Sequence, residues 1–117
     1  MNFIVQSISP NVECPLTLEV TEIPRAPPGF ATGSADKFHP LVNIRVFDGD
    51  PQKKVELAPT LQETQSGYVQ QWDIEPYRSS VDPIIIRCEY EGTSAWLQQE
   101  LRSAVGSLTV TLQRQIP

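Results

Sequence analysis

The sequence predicts an all-β protein, an antiparallel β-sandwich or small open barrel of six to eight short strands carrying one long Pro/Gly-rich loop. Three observations support this. Apolar and polar residues alternate along nearly the whole chain, turn residues recur about every ten positions, and eleven prolines stand against one methionine. Proline in a helix interior costs about 3 kcal/mol, so long helices are disfavoured. The 117 residues are expected to form a single β domain, 1–117, because domains commonly run to roughly 100–200 residues. A chain this short buries about two-thirds of its unfolded surface, so its stability margin is thin and a cross-link would matter.

Each element follows from its own pattern. Residues 1–12 are compatible with a loose N-terminal strand. Leu16, Leu18 and Val20 alternate with Thr17, Glu19 and Thr21, the signature of a half-buried strand. Leu41 to Phe47 continue the alternation into Asp48-Gly49-Asp50-Pro51, strong turn chemistry, and Lys53 to Leu57 return as the second arm of a hairpin. Tyr68, Gln70, Trp72 and Ile74 share a face up to Glu75-Pro76, which puts Trp72 in the core. Ile84, Ile86, Cys88 and Tyr90 line one face of the best candidate for a central strand. Glu91-Gly92-Thr93-Ser94 then turns into Ala95–Leu101, and Val105-Gly106 into Leu108–Leu112, completing a meander. Ala95–Val105 also holds good helix formers, and Thr60–Gln65 suits a single helical turn, but the short Gly-Thr-Ser connector favours a hairpin for the former. The predicted core is Leu18, Ile44, Val46, Trp72, Ile86, Tyr90, Leu97 and Val110. The irregularity is 24–40, PRAPPGFATGSADKFHP, a connection of the length that is usually functional or mobile.

The chemistry is mostly negative. Nine basic against fourteen acidic residues give a net charge of -5, so most of the surface repels nucleic acid. No apolar run reaches membrane-spanning length. Nucleophile-elbow, zincin, P-loop, dinucleotide-binding and EF-hand motifs are all missing, and His39 is the only histidine, so neither an enzyme nor a metal or cofactor site is expected. Carboxylate pairs such as Asp73 with Glu75, or Glu89 with Glu91, share a strand face but read as a solvated polar surface. The two cysteines, Cys14 and Cys88, lie in no CxxC. In a reducing compartment they are two buried thiols, and in an oxidising one a disulfide. The N-terminus has neither the basic region nor the apolar run of a signal peptide, so the chain reads as either cytosolic or a mature form with an added start Met.

That leaves protein binding, with several candidate surfaces. Pro28 and Phe30 lie in the long loop, stiffened by its prolines, and His39 at its end is an ordinary loop residue or one reaching into a partner's active site. Asp48 and Asp50 present two carboxylates on a hairpin turn, suited to steering a basic partner. Trp96, out of phase with Leu97 and Leu101, is either an anchor on a binding surface or a cover over a small second cluster.

Cys14-Pro15, Gly29-Phe30, Val46-Phe47-Asp48-Gly49 with Pro51, Leu57-Ala58-Pro59, Trp72, Cys88-Glu89-Tyr90-Glu91-Gly92-Thr93 and the Leu-rich closing strand together resemble a family of small exported bacterial proteins found near type VI secretion genes. The family's members often carry a further cysteine in the last strand, where this chain has Leu108 or a neighbour. The resemblance implies a periplasmic protein, some members looking like immunity proteins against secreted cell-wall-targeting toxins, including the L,D-transpeptidase-like type. It implies a cognate toxin encoded nearby as partner, with no nucleic acid and no membrane insertion. In that compartment Cys14 and Cys88 are expected to form a disulfide, since Cys88 shares a face with Ile84 and Ile86 and Cys14 opens the first clear strand. Two other roles fit the same features: an assembly subunit of an envelope or secretion machine binding through an open sheet edge, and an inhibitor of a lytic enzyme such as lysozyme.

Overall fold

A computed structural model describes residues 3–12, 14–78 and 82–115. Among these are nine strands and no α-helix: β1 (Phe3–Ser9), β2 (Thr17–Glu22), β3 (Ala35–Asp48), β4 (Glu56–Leu57), β5 (Thr60–Glu63), β6 (Gly67–Asp73), β7 (Ile84–Tyr90), β8 (Trp96–Glu100) and β9 (Ser107–Arg114). Two sheets form. One runs β1-β9-β6-β5, the other β2-β3-β7-β8 with β4 added to β3, and all their pairings are antiparallel. The sandwich expected from the alternation is therefore present.

The strand pattern of β7, with Ile84, Ile86, Cys88 and Tyr90 buried and the residues between them half-buried, is what period-2 alternation demands of a central strand. Those side chains meet Ile44 and Val46 of β3, Trp72 of β6, Leu108, Val110 and Leu112 of β9, and Val5 of β1 in one apolar core. Trp72 also donates its indole N–H to the Leu57 carbonyl at 2.9 Å, so its one polar atom is satisfied. Where β6 starts beside β9 the backbones nearly touch. A Cβ on Gly67 would run into the Leu112 carbonyl oxygen, so only glycine fits there.

Several expectations need correction. β1 is no loose strand: Val5 is buried and six positions from Phe3 to Ser9 pair with β9, while Met1 and Asn2 lie outside the described residues. Thr60–Glu63 is strand β5 and not a helical turn, whereas Trp96–Glu100 is strand β8, the hairpin arm that the Gly-Thr-Ser connector favours. Leu18 only packs against the rim of the core. Leu97 pairs with Cys88 on the inner face, yet it is 37% exposed because β8 is an edge strand whose five residues are all exposed.

The 24–40 connection also differs from its predicted form. β3 begins at Ala35 and pairs with β2 up to Pro40 before transferring to β7 at Leu41. Toward β2 Pro40 is tolerated because Leu41 N–H bonds to the Leu16 carbonyl and Pro40 takes the intervening position; toward β7 its carbonyl accepts from Glu91 N–H, and His39 Nδ1 supplies the donor that the Glu91 carbonyl takes. β2 and the first half of β3 thus form a two-stranded arm standing off the sandwich. The arm lengthens the molecule to 57 × 38 × 21 Å, with a radius of gyration of 16.9 Å, against about 13 Å for a compact chain of this size. At its root, Cys14 is joined to Cys88 by the disulfide, fixing the segment before β2 to the central strand.

Candidate protein-binding site

The arm is the most exposed part of the chain. Its strands carry half-buried Leu18 and Val20 on one side, and on the other Phe38, which is opposite Glu19 and 69% exposed. Thr21 Oγ1 donates to Asp36 Oδ1 at 2.7 Å across the pair. At the tip, Phe30 N–H meets the Pro27 carbonyl at 3.3 Å around Gly29, whose φ of +93° suits glycine. Pro28 therefore sits in the turn, and Phe30 projects 71% exposed. Exposed aromatic and apolar groups on a proline-stiffened hairpin have little conformational freedom left to lose on binding.

His39 is not displayed by this arm. It lies within β3, opposite Leu18, 6% exposed. Its Nδ1 donates to the Glu91 carbonyl at 2.7 Å, and the ring packs so closely on the turn after β7 that a Cβ on Gly92 would come within 3.0 Å of Nδ1. The histidine fastens the arm's root to the β7–β8 turn.

The two turn carboxylates also part company. Asp50 is exposed and accepts a hydrogen bond from Gln52 N–H at 2.9 Å, capping the 3-10 turn Pro51–Lys53. Asp48 ends β3 on the inner side, half-buried, with Oδ1 buried and unpaired among the described residues. Only Asp50 faces solvent as a steering charge.

Trp96 stands in a built surface. On the outward face of β3, β7 and β8, the Arg87 guanidinium lies 4.1 Å from the Trp96 ring centroid and 5.3 Å from that of Phe47, with Arg45 at 5.1 Å from Phe47. Phe47 points away from the core and yet is 3% exposed, because the two guanidiniums cover it. Acidic and amide groups hold the stack: Arg45 pairs with Glu56 at 2.6 Å and Glu89 at 3.4 Å, Asn43 donates to Glu89 at 2.7 Å, and Arg87 donates to Gln98 at 2.9 Å. The hydrogen bond to Glu56 raises the Arg45 pKa still further above its ordinary value. Each cation–π contact contributes about 0.5–1 kcal/mol at an exposed site. Trp96 keeps 48% of its surface open on this stack.

Register puts Phe38, Asn43, Glu89 and Trp96 on the same outward face, at the arm end of the sheet. Asp48 lies ten residues along β3 from Phe38, about 33 Å at about 3.3 Å per residue, so the acidic turn is at the opposite end. The structure thus brings Phe38 and the arm together with Trp96 and separates them from Asp50. Arg45, Phe47 and Arg87 escape a sequence-only reading; their signal is an aromatic out of phase with Ile44 and Val46, with an arginine two positions before it.

Among the described residues no group of three or more His, Cys, Asp or Glu side chains is placed to hold a metal ion, and no helix is long and apolar enough to cross a membrane. No solved structure matches the chain. It is 27% identical over 112 residues to an uncharacterized 16.3 kDa protein in the trpG 5′ region of Azospirillum brasilense, an alignment covering 90% of this chain and 73% of that protein. The family model of the type VI secretion system Tli immunity protein matches residues 34–116, from the residue before β3 through β9. The chain belongs to the type VI secretion system Tli immunity protein family.

Proposed function

We propose that this protein binds and occludes a secreted, cell-wall-targeting toxin in the periplasm, acting by contact and without chemistry of its own. The family match carries the reading. The geometry supplies a surface for it: the arm with Pro28, Phe30 and Phe38, continued by the outward face on which Trp96 is stacked. Trp and Arg are the residue types that most often anchor interfaces. Here both are already held in place, so docking costs little side-chain entropy. A protruding hairpin beside a flat, rigid face suits an enzyme cleft, whose complexes bury on the order of 1,600 Å². Asp50 and the net charge of -5 speed the approach of a basic partner without anchoring it.

The test is co-purification with the product of the adjacent toxin gene, read as one-to-one binding and loss of toxin activity. The parent protein is expected to do both. Replacing the arm tip 23–34 by a short turn is expected to abolish protection, and Asp50→Asn to slow association only slightly. Each variant is first checked for an unchanged melting temperature. Absence of binding by the parent overturns the immunity reading, and full protection by the arm variant and Trp96→Ala together would mean that the toxin docks elsewhere.

A further inference from the structure

Strand β8 ends its sheet, and its free edge is unguarded. Leu101 N–H donates to the Ile84 carbonyl at 2.8 Å, just past the unbroken ladder that runs from Ile85↔Glu100 to Glu89↔Trp96. Hydrogen-bonded and non-hydrogen-bonded pairs alternate in an antiparallel ladder, so Leu97 and Gln99 turn their N–H and C=O groups to β7. Trp96, Gln98 and Glu100 turn theirs outward, where no strand pairs with them among the described residues. Natural edges are blunted by proline, lysine or a bulge, and β8 has none of these. The other edges differ. β1 is bulged between Val5 and Ser7, and β5 starts directly after Pro59 and turns only Leu61 and Glu63 outward. By the same alternation β2 turns out Thr17, Glu19 and Thr21, and a two-fold pairing of that edge sets Glu19 against its own copy.

We propose that β8 pairs antiparallel with β8 of a second copy of this chain, about a two-fold axis at Gln98, joining the two β2-β3-β7-β8 sheets into one. That register sets Gln98 against Gln98 and Trp96 against Glu100. The three outward N–H groups and three outward carbonyls of each copy are then all used, in six hydrogen bonds. A shift of two residues either way leaves Trp96 or Glu100 without a partner. The side chains agree with the backbone. Among the described residues neither Arg87 nor Glu100 has an ion-pair partner. Both lie on the outward face with Trp96, whose ring centroid is 4.1 Å from the Arg87 guanidinium. The two-fold brings the partner's Glu100 beside that stack, so each copy supplies the carboxylate that the other's arginine lacks, whereas the same operation on β2 opposes like charges. An edge of five residues makes a small interface of the transient class, and the net charge of -5 on each copy opposes approach at low salt. The dimer is therefore weak, and it forms at high concentration and at ionic strengths that screen the net charge. Each arm lies on the far edge of the joined sheet, so the pairing leaves both arms free and does not rest on the toxin-binding reading above.

Sedimentation of the oxidised full chain without toxin, from about 1 µM to about 500 µM in about 0.15 M salt, tests this and is expected to show monomer passing into dimer. In amide exchange Leu97 and Gln99 are expected to be protected at every concentration, and Trp96, Gln98 and Glu100 only at the highest. Glu100→Arg is expected to weaken the dimer at least tenfold, and Gln98→Pro, whose lost N–H points away from β7, to abolish it. Both positions are exposed, so both variants are expected to melt near the parent. Cross-linking reads the register, because Cys14 and Cys88 are already joined. Gln98→Cys is expected to link to itself, and Trp96→Cys to link to Glu100→Cys but not to itself. The two Trp96 positions lie about 14 Å apart along the paired strands, beyond the roughly 4.4–6.8 Å that a disulfide spans between Cα atoms. A monomer at every concentration, a dimer that survives either substitution, or self-linking of Trp96→Cys overturns the pairing. Protection of the Trp96, Gln98 and Glu100 amides only when toxin is added also overturns it, gives the edge to a strand of the toxin and leaves the immunity reading standing.

Discussion

Tyr90 ends β7 with its ring in the core and its hydroxyl donating to the Pro15 carbonyl at 2.7 Å, tying the segment before β2 to the central strand close to the disulfide. Burial pushes its phenol above the ordinary value near 10. The folded state therefore holds the proton more tightly than the unfolded chain. Its contribution is fully present below about pH 10 and is lost as pH rises through the folded pKa. Tyr90→Phe is expected to cost about 1 kcal/mol at neutral pH, from the lost hydrogen bond, and to flatten the fall in stability above about pH 10; urea melts at both pH values measure it. Trp96→Ala is expected to leave stability nearly unchanged and to speed dissociation of the toxin by 2 kcal/mol or more, on the order of thirtyfold, in a surface-plasmon measurement. Single residues were the least legible scale in the sequence. Trp72 betrayed its burial through its phase with Ile74, but nothing in the spacing around His39 shows that the β7–β8 turn folds over it. That contact joins positions 52 apart.

Elements were legible wherever alternation was strict. β7 has four inward and three outward residues in perfect period 2, and that pattern alone identifies a strand buried on one side. Ile86 is fully buried at its centre, so Ile86→Ala is expected to cost about 2–5 kcal/mol in chemical denaturation. β3 and β8 mislead for opposite reasons. In β3, Pro40 looks like a stop, because the sequence cannot reveal that the strand changes partners there and that His39 Nδ1 supplies the donor to the Glu91 carbonyl in place of a residue-40 N–H. In β8, Leu97 has the phase of a core residue, and alternation reports which side a residue faces without reporting whether the facing sheet extends that far. The same limit applies to Leu61, which pairs with Gln70 and is 65% exposed.

For the molecule as a whole, composition and pattern were enough for the class of fold, the disulfide needed the compartment that the resemblance implied as well, and the arm, which is a matter of shape, was not legible. The Cys14–Cys88 link spans 74 positions and contributes about 4–5 kcal/mol on the chain-entropy account. Mass spectrometry of oxidised protein is expected to show the loss of two hydrogens, and reduction to lower the melting temperature markedly. One relation in the sheet order has a consequence for how the chain is made. β9, the last strand described, lies between β1 and β6, so the earliest strand has no neighbour until the latest arrives. A growing or truncated chain holds β1 as an unpaired ribbon and β5–β6 as an isolated hairpin, which is marginal in water. Folding of this domain is thus a closing event that waits for β9, slow in the manner of topologies dominated by distant contacts. Chains ending before Ser107 are expected to be degraded rather than to accumulate as partial domains, and a pulse-chase comparison with the full chain would show it.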